Sequence, residues 1–451
     1  MILWQPDGGG LERGSLVIPP ARGVTGPTVL LALVRRAASD DDGRIGTLLV
    51  NPGGPGLAGT DLVRTASLFL PSLLLERFDL VGWDPRGTGA STPTIDCVDS
   101  YDAVFDGLDS SPDDEAERQR WADTTAAVAD GCATRSGDLI GSVGTMQAAR
   151  DLDTIRRALG EPTVSYMGFS YGSELGAMWA TLYPDTVRAA VLDGAVDPTA
   201  DAAERARQRA TGFDRAVDRF VSWCDDLASC AFPGGGDAGA AFDALFAQLD
   251  ERPIPSIAGR PRVTSEIGLQ AVAEAMYAET YWPQLAQALA SAQHGDGAGL
   301  LALWDAYNLR QPTGTWPNTR EAGAVIGCMD HGDRPSQEAA ESLSIELRQS
   351  APRYAPGLAD LHLCADLPAA PDPTVPITGA DAGPILVVGT TGDPATPLPG
   401  TQAMADALEG GRLLTVEANQ HTGSGTNQCV IDAVSRYLID LVLPPVGQTC
   451  R

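Results

Sequence analysis

The sequence predicts an α/β protein in which a mostly parallel, eight-stranded sheet is interrupted by a large helical cap insertion. Three observations carry this prediction. Short β-branched runs bounded by Gly, Pro and Asp alternate with helical patterns through roughly the first 200 residues; from about Asp197 the texture is helix-rich; strand runs return only towards the C-terminal end. The expected strands are Gly14–Pro19, Thr28–Arg35, Gly46–Asn51, Phe78–Trp83, Val164–Gly168, Ala189–Leu192, Pro384–Val388 and Arg412–Val416. A short connection joins the first pair, which suits an antiparallel hairpin at a sheet edge. Apolar positions at helical spacing over Thr145–Leu159 and Ser173–Tyr183 provide crossover helices, and crossovers make neighbouring strands parallel. The insertion is expected to begin near Thr199 and to end in the Pro-rich linker Leu367–Pro376, which divides the chain into 1–198, 199–375 and 376–451, with a closing helix around Val430–Leu441.

Charge narrows the partners. The 31 basic residues, all Arg, stand against 59 acidic ones for a net charge of −28, so no basic stripe for nucleic acid is expected. No run approaches the roughly 18 apolar residues of a membrane span, and the start at Met1-Ile2-Leu3-Trp4 lacks the basic and apolar segments of a signal peptide. The eight cysteines fall into neighbouring pairs, 97 with 132, 224 with 230, 328 with 364 and 429 with 450, which suggests up to four local disulfides and an extracellular enzyme. Buried free thiols in a cytoplasmic enzyme remain the alternative. Metal-ligand spacing is absent, and neither a metal nor a cofactor is expected.

The strongest motif is Gly168-Phe169-Ser170-Tyr171-Gly172, placed where a strand ends and a helix begins. A Ser on so tight a turn needs small neighbours, and the turn projects its hydroxyl above the sheet. The helix that follows opens with free N–H groups, so the Tyr171 amide is a candidate oxyanion donor. A serine hydroxyl needs a base, normally His held by a carboxylate. Of the four histidines, His294 and His362 fall in the insertion, His331 follows Asp330, and His421 follows the last strand. Nucleophiles on such strand–turn–helix elbows are followed in the chain by the acid and then the His. Asp393, just past PILVV, and His421, just past RLLTV, fit that order. The loop Asn51-Pro52-Gly53-Gly54-Pro55-Gly56 lacks the spacing of a phosphate or dinucleotide loop; Gly54 is the candidate second oxyanion amide.

These segments, with GWDPRGTGAS (82–91), LDGAVDP (192–198), Cys328-Met329-Asp330, TTGDPATP (390–397) and the tail from His421 to Cys450, resemble the secreted actinobacterial tripeptidyl aminopeptidases, relatives of proline iminopeptidases in the α/β-hydrolase superfamily. The resemblance covers nearly the whole chain. It implies an α/β-hydrolase fold and a serine exopeptidase that removes short peptides, tripeptides foremost, from free N-termini. An esterase or amidase with the same triad is the alternative, because the branch also contains such enzymes. The substrate is then a peptide or a small ester or amide, and a monomer is expected. The Cys often found in the family's N-terminal segment is missing from Trp4–Gly14.

Burying a substrate ammonium calls for carboxylates at a fixed distance from the nucleophile. Asp330 and Glu279 are the candidates, and Tyr277, Tyr281 and Trp282 are candidates for an apolar subsite. Asp84 and Arg86 are expected to pair and to fix the loop beneath the oxyanion turn.

Overall fold

The structure, a computed structural model, describes residues 2–21, 26–109, 111–112, 114–233, 236–332, 334–354 and 359–451. Its strands are β1 (Gln5–Gly8), β2 (Leu11–Ile18), β3 (Val29–Arg36), β4 (Gly46–Asn51), β5 (Phe78–Trp83), β6 (Val164–Phe169), β7 (Val187–Asp193), β8 (Ile385–Thr390), β9 (Gly411–Val416) and β10 (Thr449–Cys450). All join one sheet in the order β1-β2-β3-β5-β4-β6-β7-β8-β9-β10. Pairs from β1 through β3 to β5 are antiparallel, and those from β5 through β4 to β10 are parallel. Burial follows the two modes: every residue of β4 and β8 is buried, as strands covered on both faces require, whereas β2 alternates.

Among the described residues ten strands therefore replace the eight expected. The additional β1 contains Pro6, Asp7 and Gly8, a composition depleted in strands, and forms by pairing with β2. The two-residue β10 is too short to carry a pattern of its own; it is held beside β9 by ladder bonds and by the Cys429–Cys450 disulfide.

Before the insertion lie α1 (Gly59–Thr65), α2 (Ser72–Arg77), α3 (Tyr101–Phe105), α4 (Glu115–Ile140), α5 (Thr145–Leu159) and α6 (Tyr171–Leu182). Between β7 and β8 come α7 (Ala202–Asp226), α8 (Ala238–Glu251), α9 (Ser265–Met276), α10 (Trp282–Gln293), α11 (Ala298–Tyr307), α12 (Thr319–Asp330), α13 (Gln337–Ser350) and α14 (Ala359–Asp366). Two more, α15 (Leu398–Ala407) and α16 (Gln428–Asp440), follow β8 and β9. The long α4 was not anticipated, although Asp114 and Glu117 form a capping box in which each side chain accepts the other's backbone N–H.

One apolar layer packs α5 and α6 on the sheet, and a second packs α1, α2 and α16 on its opposite face. The insertion has a core of its own, built on Phe213, Phe220, Trp282 and Trp304. The two bodies interlock: Val325, Ile326 and Met329 of α12 join the sheet's core, while Tyr101, Phe105 and Trp121 join the insertion's. All eight cysteines are paired, 97–132, 224–230, 328–364 and 429–450. No described helix is long and apolar enough to cross a membrane.

Candidate active site

The strand order reverses at β4, which lies between β5 and β6, and ligands of open parallel sheets bind beyond the strand C-termini at such a switch point. The register Asn51↔Gly168 sets the loop after β4 beside the turn after β6. Ser170 caps α6 at φ 55° and ψ −124°, a backbone conformation that costs a non-glycine residue about 1–3 kcal/mol. The surroundings hold it there. Its N–H donates to the Asp193 carbonyl at 2.8 Å, and its own carbonyl accepts the Ser173 amide at 2.8 Å and the Ser173 hydroxyl at 2.6 Å. Gly168 is required by proximity, since a Cβ there would lie 2.2 Å from the Gly172 carbonyl oxygen.

The Tyr171 amide opens α6 and so has no acceptor within the helix. The Asn51–Gly56 loop closes on it: a Cβ on Gly53 would lie 3.0 Å from Ser170 Cβ and 3.1 Å from Tyr171 N. Gly53 donates its own N–H to Asn51 Oδ1 at 2.9 Å, whereas the neighbouring Gly54 amide, like that of Gly56, has no acceptor among the described residues. The loop's far side abuts the insertion, where a Cβ on Gly323 of α12 would meet the Pro55 carbonyl oxygen at 2.4 Å.

Asp393 and His421, from the loops after β8 and β9, meet beside this turn. His421 Nδ1 is 2.9 Å from each Asp393 oxygen; the Asp393 side chain is fully buried and that of His421 is 8% exposed. Ala395 and Thr396 donate their amides to Asp393 Oδ1, and Thr422 donates its amide to Oδ2. With Nδ1 committed, the buried His421 Nε2 has no partner among the described residues and is free to take a proton. Burial works against the imidazolium, but the Asp393 charge and hydrogen bond, with a further contribution from Asp193, hold His421 above its ordinary pKa.

The other sequence candidates separate. Tyr277 sets its ring edge-on to the His421 imidazole with centroids 5.3 Å apart, and its carbonyl accepts the His421 amide at 2.9 Å. Next to it Ala278 bridges Gln420, and Glu279 accepts a hydrogen bond from Asn419. The segment from 277 to 279 thus clasps the histidine loop, while Tyr281 is exposed. Trp282 is corrected as a subsite residue: only 3% exposed, it packs against Phe220 and Trp223 in the insertion's core, because its large apolar ring gains most by burial there. Asp330 is likewise corrected as an ammonium ligand. Its buried carboxylate accepts the Thr145 amide and hydroxyl at 2.6 and 2.7 Å, and the Thr145 hydroxyl in turn meets the Tyr171 hydroxyl, so Asp330 stands behind the oxyanion turn. Burial and the nearby Glu174 carboxylate push Asp330 up.

Asp84 and Arg86 do not pair. Arg86 forks onto Asp151 of α5 at 2.5 and 2.7 Å, and Asp84 accepts the Thr60 and Ala90 amides. The first pairing joins residues far apart in sequence, which local spacing does not reveal. His294 bonds its own helix at the Ala290 carbonyl, His331 lies at the end of α12, and the His362 side chain lies outside the described part. Sequence reasoning missed Asp193 and Thr145. For Asp193 the signal was an acid ending a strand at the sheet's C-terminal edge; Thr145 carried none.

A strained serine at a strand–helix turn, a buried carboxylate–imidazole pair and two flanking backbone amides define a serine hydrolase. The profile of the alpha/beta hydrolase fold family matches residues 46–427, and the chain belongs to that family. The serine protease Hip1 of Mycobacterium tuberculosis (strain H37Rv) is 34% identical over 462 residues, covering 98% of this chain and 88% of the relative. Carboxylesterase B of the same organism is 35% identical over 444 residues, with coverage of 94% and 83%. The tripeptidyl aminopeptidase of Streptomyces lividans is 31% identical over 413 residues, with coverage of 88% and 75%.

Proposed function

We propose that this serine hydrolase is an extracellular exopeptidase that releases short peptides, tripeptides foremost, from free N-termini. Ser170 attacks the scissile carbonyl while His421 Nε2 takes its proton; Asp393 holds the imidazole in the tautomer with Nδ1–H and stabilises the imidazolium. The tetrahedral oxyanion is received by the Gly54 and Tyr171 amides. His421 then returns the proton to the leaving amine, and water resolves the acyl-enzyme by the same route. The observation that carries this reading is the buried Asp393–His421 pair with a free Nε2 beside the strained Ser170 turn.

Exopeptidase action is supported by the insertion, which touches the core on both sides of the nucleophile, at Pro55 and at Asn419–His421. A site bridged in this way admits a chain end more readily than the middle of a folded polypeptide. The protease and aminopeptidase names of two relatives point the same way. Four disulfides suit an oxidising compartment. The carboxylesterase relative favours a second reading, a small-ester hydrolase with the same triad. Three substrates separate them: a chromogenic tripeptide amide, its N-acetylated twin and a short acyl ester. Cleavage of the free-amine peptide alone supports the exopeptidase; cleavage of the ester with both peptides intact overturns it.

A further inference from the structure

β7 ends in Asp193, whose backbone is in register with Phe169 of β6 on one side and Val388 of β8 on the other. The side chain is fully buried and makes no ion pair with an arginine among the described residues. A buried carboxylate without a cation persists only where hydrogen bonds replace its lost water. Here both oxygens are engaged by the main chain: Oδ1 accepts the Gly423 amide and Oδ2 the Ser424 amide, each at 2.7 Å, the length of a charge-assisted bond. These are the second and third residues after His421. Between them and the imidazole stands Thr422 at φ 68°, a left-handed conformation that a β-branched residue holds only when its surroundings over-determine it. Asp393 accepts the Thr422 amide from one side, and Asp193 pins the next two amides from the other.

The same residue reaches the nucleophile. The Asp193 carbonyl accepts the Ser170 amide at 2.8 Å, and a Cβ on the following Gly194 would stand 3.1 Å from His421 Cε1. One residue thus bonds the serine turn through its backbone and the histidine loop through its side chain. We propose that Asp193 is a positioning residue for the triad, setting the separation and angle between Ser170 and His421 and adding a negative charge behind the imidazole. The inference rests on the reading of Ser170 and His421 as nucleophile and base.

An amide in place of the carboxylate supplies one acceptor for two N–H donors and carries no charge. The groups that bear on the imidazole's charge are Asp393 from the loop after β8, Asp193 from β7 and Arg209 from α7; the Tyr277 ring packs beside it. Burial raises the Asp193 carboxyl, and the hydrogen bonds from Ser424 and Gly423 oppose that rise; the ionised Asp193 favours the imidazolium and Arg209 opposes it, so removing the Asp193 charge lowers the His421 pKa and moves the acid limb of reactivity to lower pH.

The test uses the rate of inactivation by a fluorophosphonate across pH, which needs Ser170 and His421 but no knowledge of the natural substrate. In Asp193→Asn the expected rate above the limb falls about tenfold or more, and the limb moves to lower pH. Asp193→Glu keeps the charge but misplaces the loop, so it is expected to slow inactivation similarly with the limb unmoved; Asp193→Ser, which also removes the charge, takes the place of the Asn variant if that one does not fold, with the same expected shift of the limb. Wild-type rate and limb in either folded variant overturn the proposal. So does a slowed Asn variant whose limb is unmoved, because that result marks a purely structural residue. Wild-type protein that resists the reagent defeats instead the reading of the site itself.

Discussion

Replacing Asp393 by Asn probes the site most sharply, because every hydrogen bond to this carboxylate is donated by an N–H. Oδ1 accepts from Ala395 at 3.0 Å and Thr396 at 2.8 Å, Oδ2 accepts from Thr422 at 3.3 Å, and His421 Nδ1 is 2.9 Å from both oxygens. An asparagine keeps the Ala395 and Thr396 bonds by placing its carbonyl at the Oδ1 position. Its NH2 group then stands 2.9 Å from Nδ1 and directs a proton at it. Nδ1 becomes an acceptor, the imidazole proton moves to Nε2, and Nε2 can no longer accept the proton of Ser170. The carboxylate charge that stabilises the imidazolium is lost as well. In triads of this geometry the change lowers kcat about 10,000-fold, or about 5.4 kcal/mol of barrier. Release of the chromophore from a free-amine tripeptide amide measures it, with the thermal midpoint confirming that the variant is folded. A folded Asp393→Asn enzyme within about tenfold of wild-type kcat refutes the assignment of this carboxylate.

Other expectations follow from the same geometry. The kcat/KM of the wild type should fall as pH drops through the His421 pKa, which lies above the ordinary imidazole value, because only the neutral ring is a base; a profile flat from about pH 8 to 5 contradicts this. Phe213 is fully buried, stacked on Tyr354 at 4.7 Å and edge-on to Tyr277 at 5.8 Å, so Phe213→Ala should cost about 3–5 kcal/mol in denaturant unfolding and also lower kcat by loosening the Tyr277 ring on His421. Breaking the buried Arg86–Asp151 pair with Arg86→Met should destabilise by about 3–5 kcal/mol, whereas adding Asp151→Leu should recover much of the loss; a double variant no better than the single argues against a stranded charge as the cause.

The parts of the molecule legible in its sequence are those where local pattern and chemistry coincide. The Thr145–Leu159 helix is found with the predicted bounds, because its apolar face is regular and Gly160 stops it in a left-handed cap. Ser170, Asp393 and His421 stand out because each follows a strand of the parallel sheet in a fixed chain order. The ammonium-binding and subsite candidates in the insertion were less legible. Trp282 and Tyr277 are five residues apart in similar composition, yet one is core and the other lies on the imidazole, a difference set by tertiary packing. Arg86 chose Asp151 over Asp84, and Asp193 took two amides from a loop 230 residues away, contacts that no window along the chain contains.

The central claim, that Ser170 is the nucleophile activated by His421, is tested most directly by treating the protein with a fluorophosphonate and mapping the adduct by mass spectrometry. A single stoichiometric adduct on Ser170, absent from Ser170→Ala and greatly slowed in His421→Ala, is the expected result. An adduct on another residue, or none on folded wild-type protein, contradicts it.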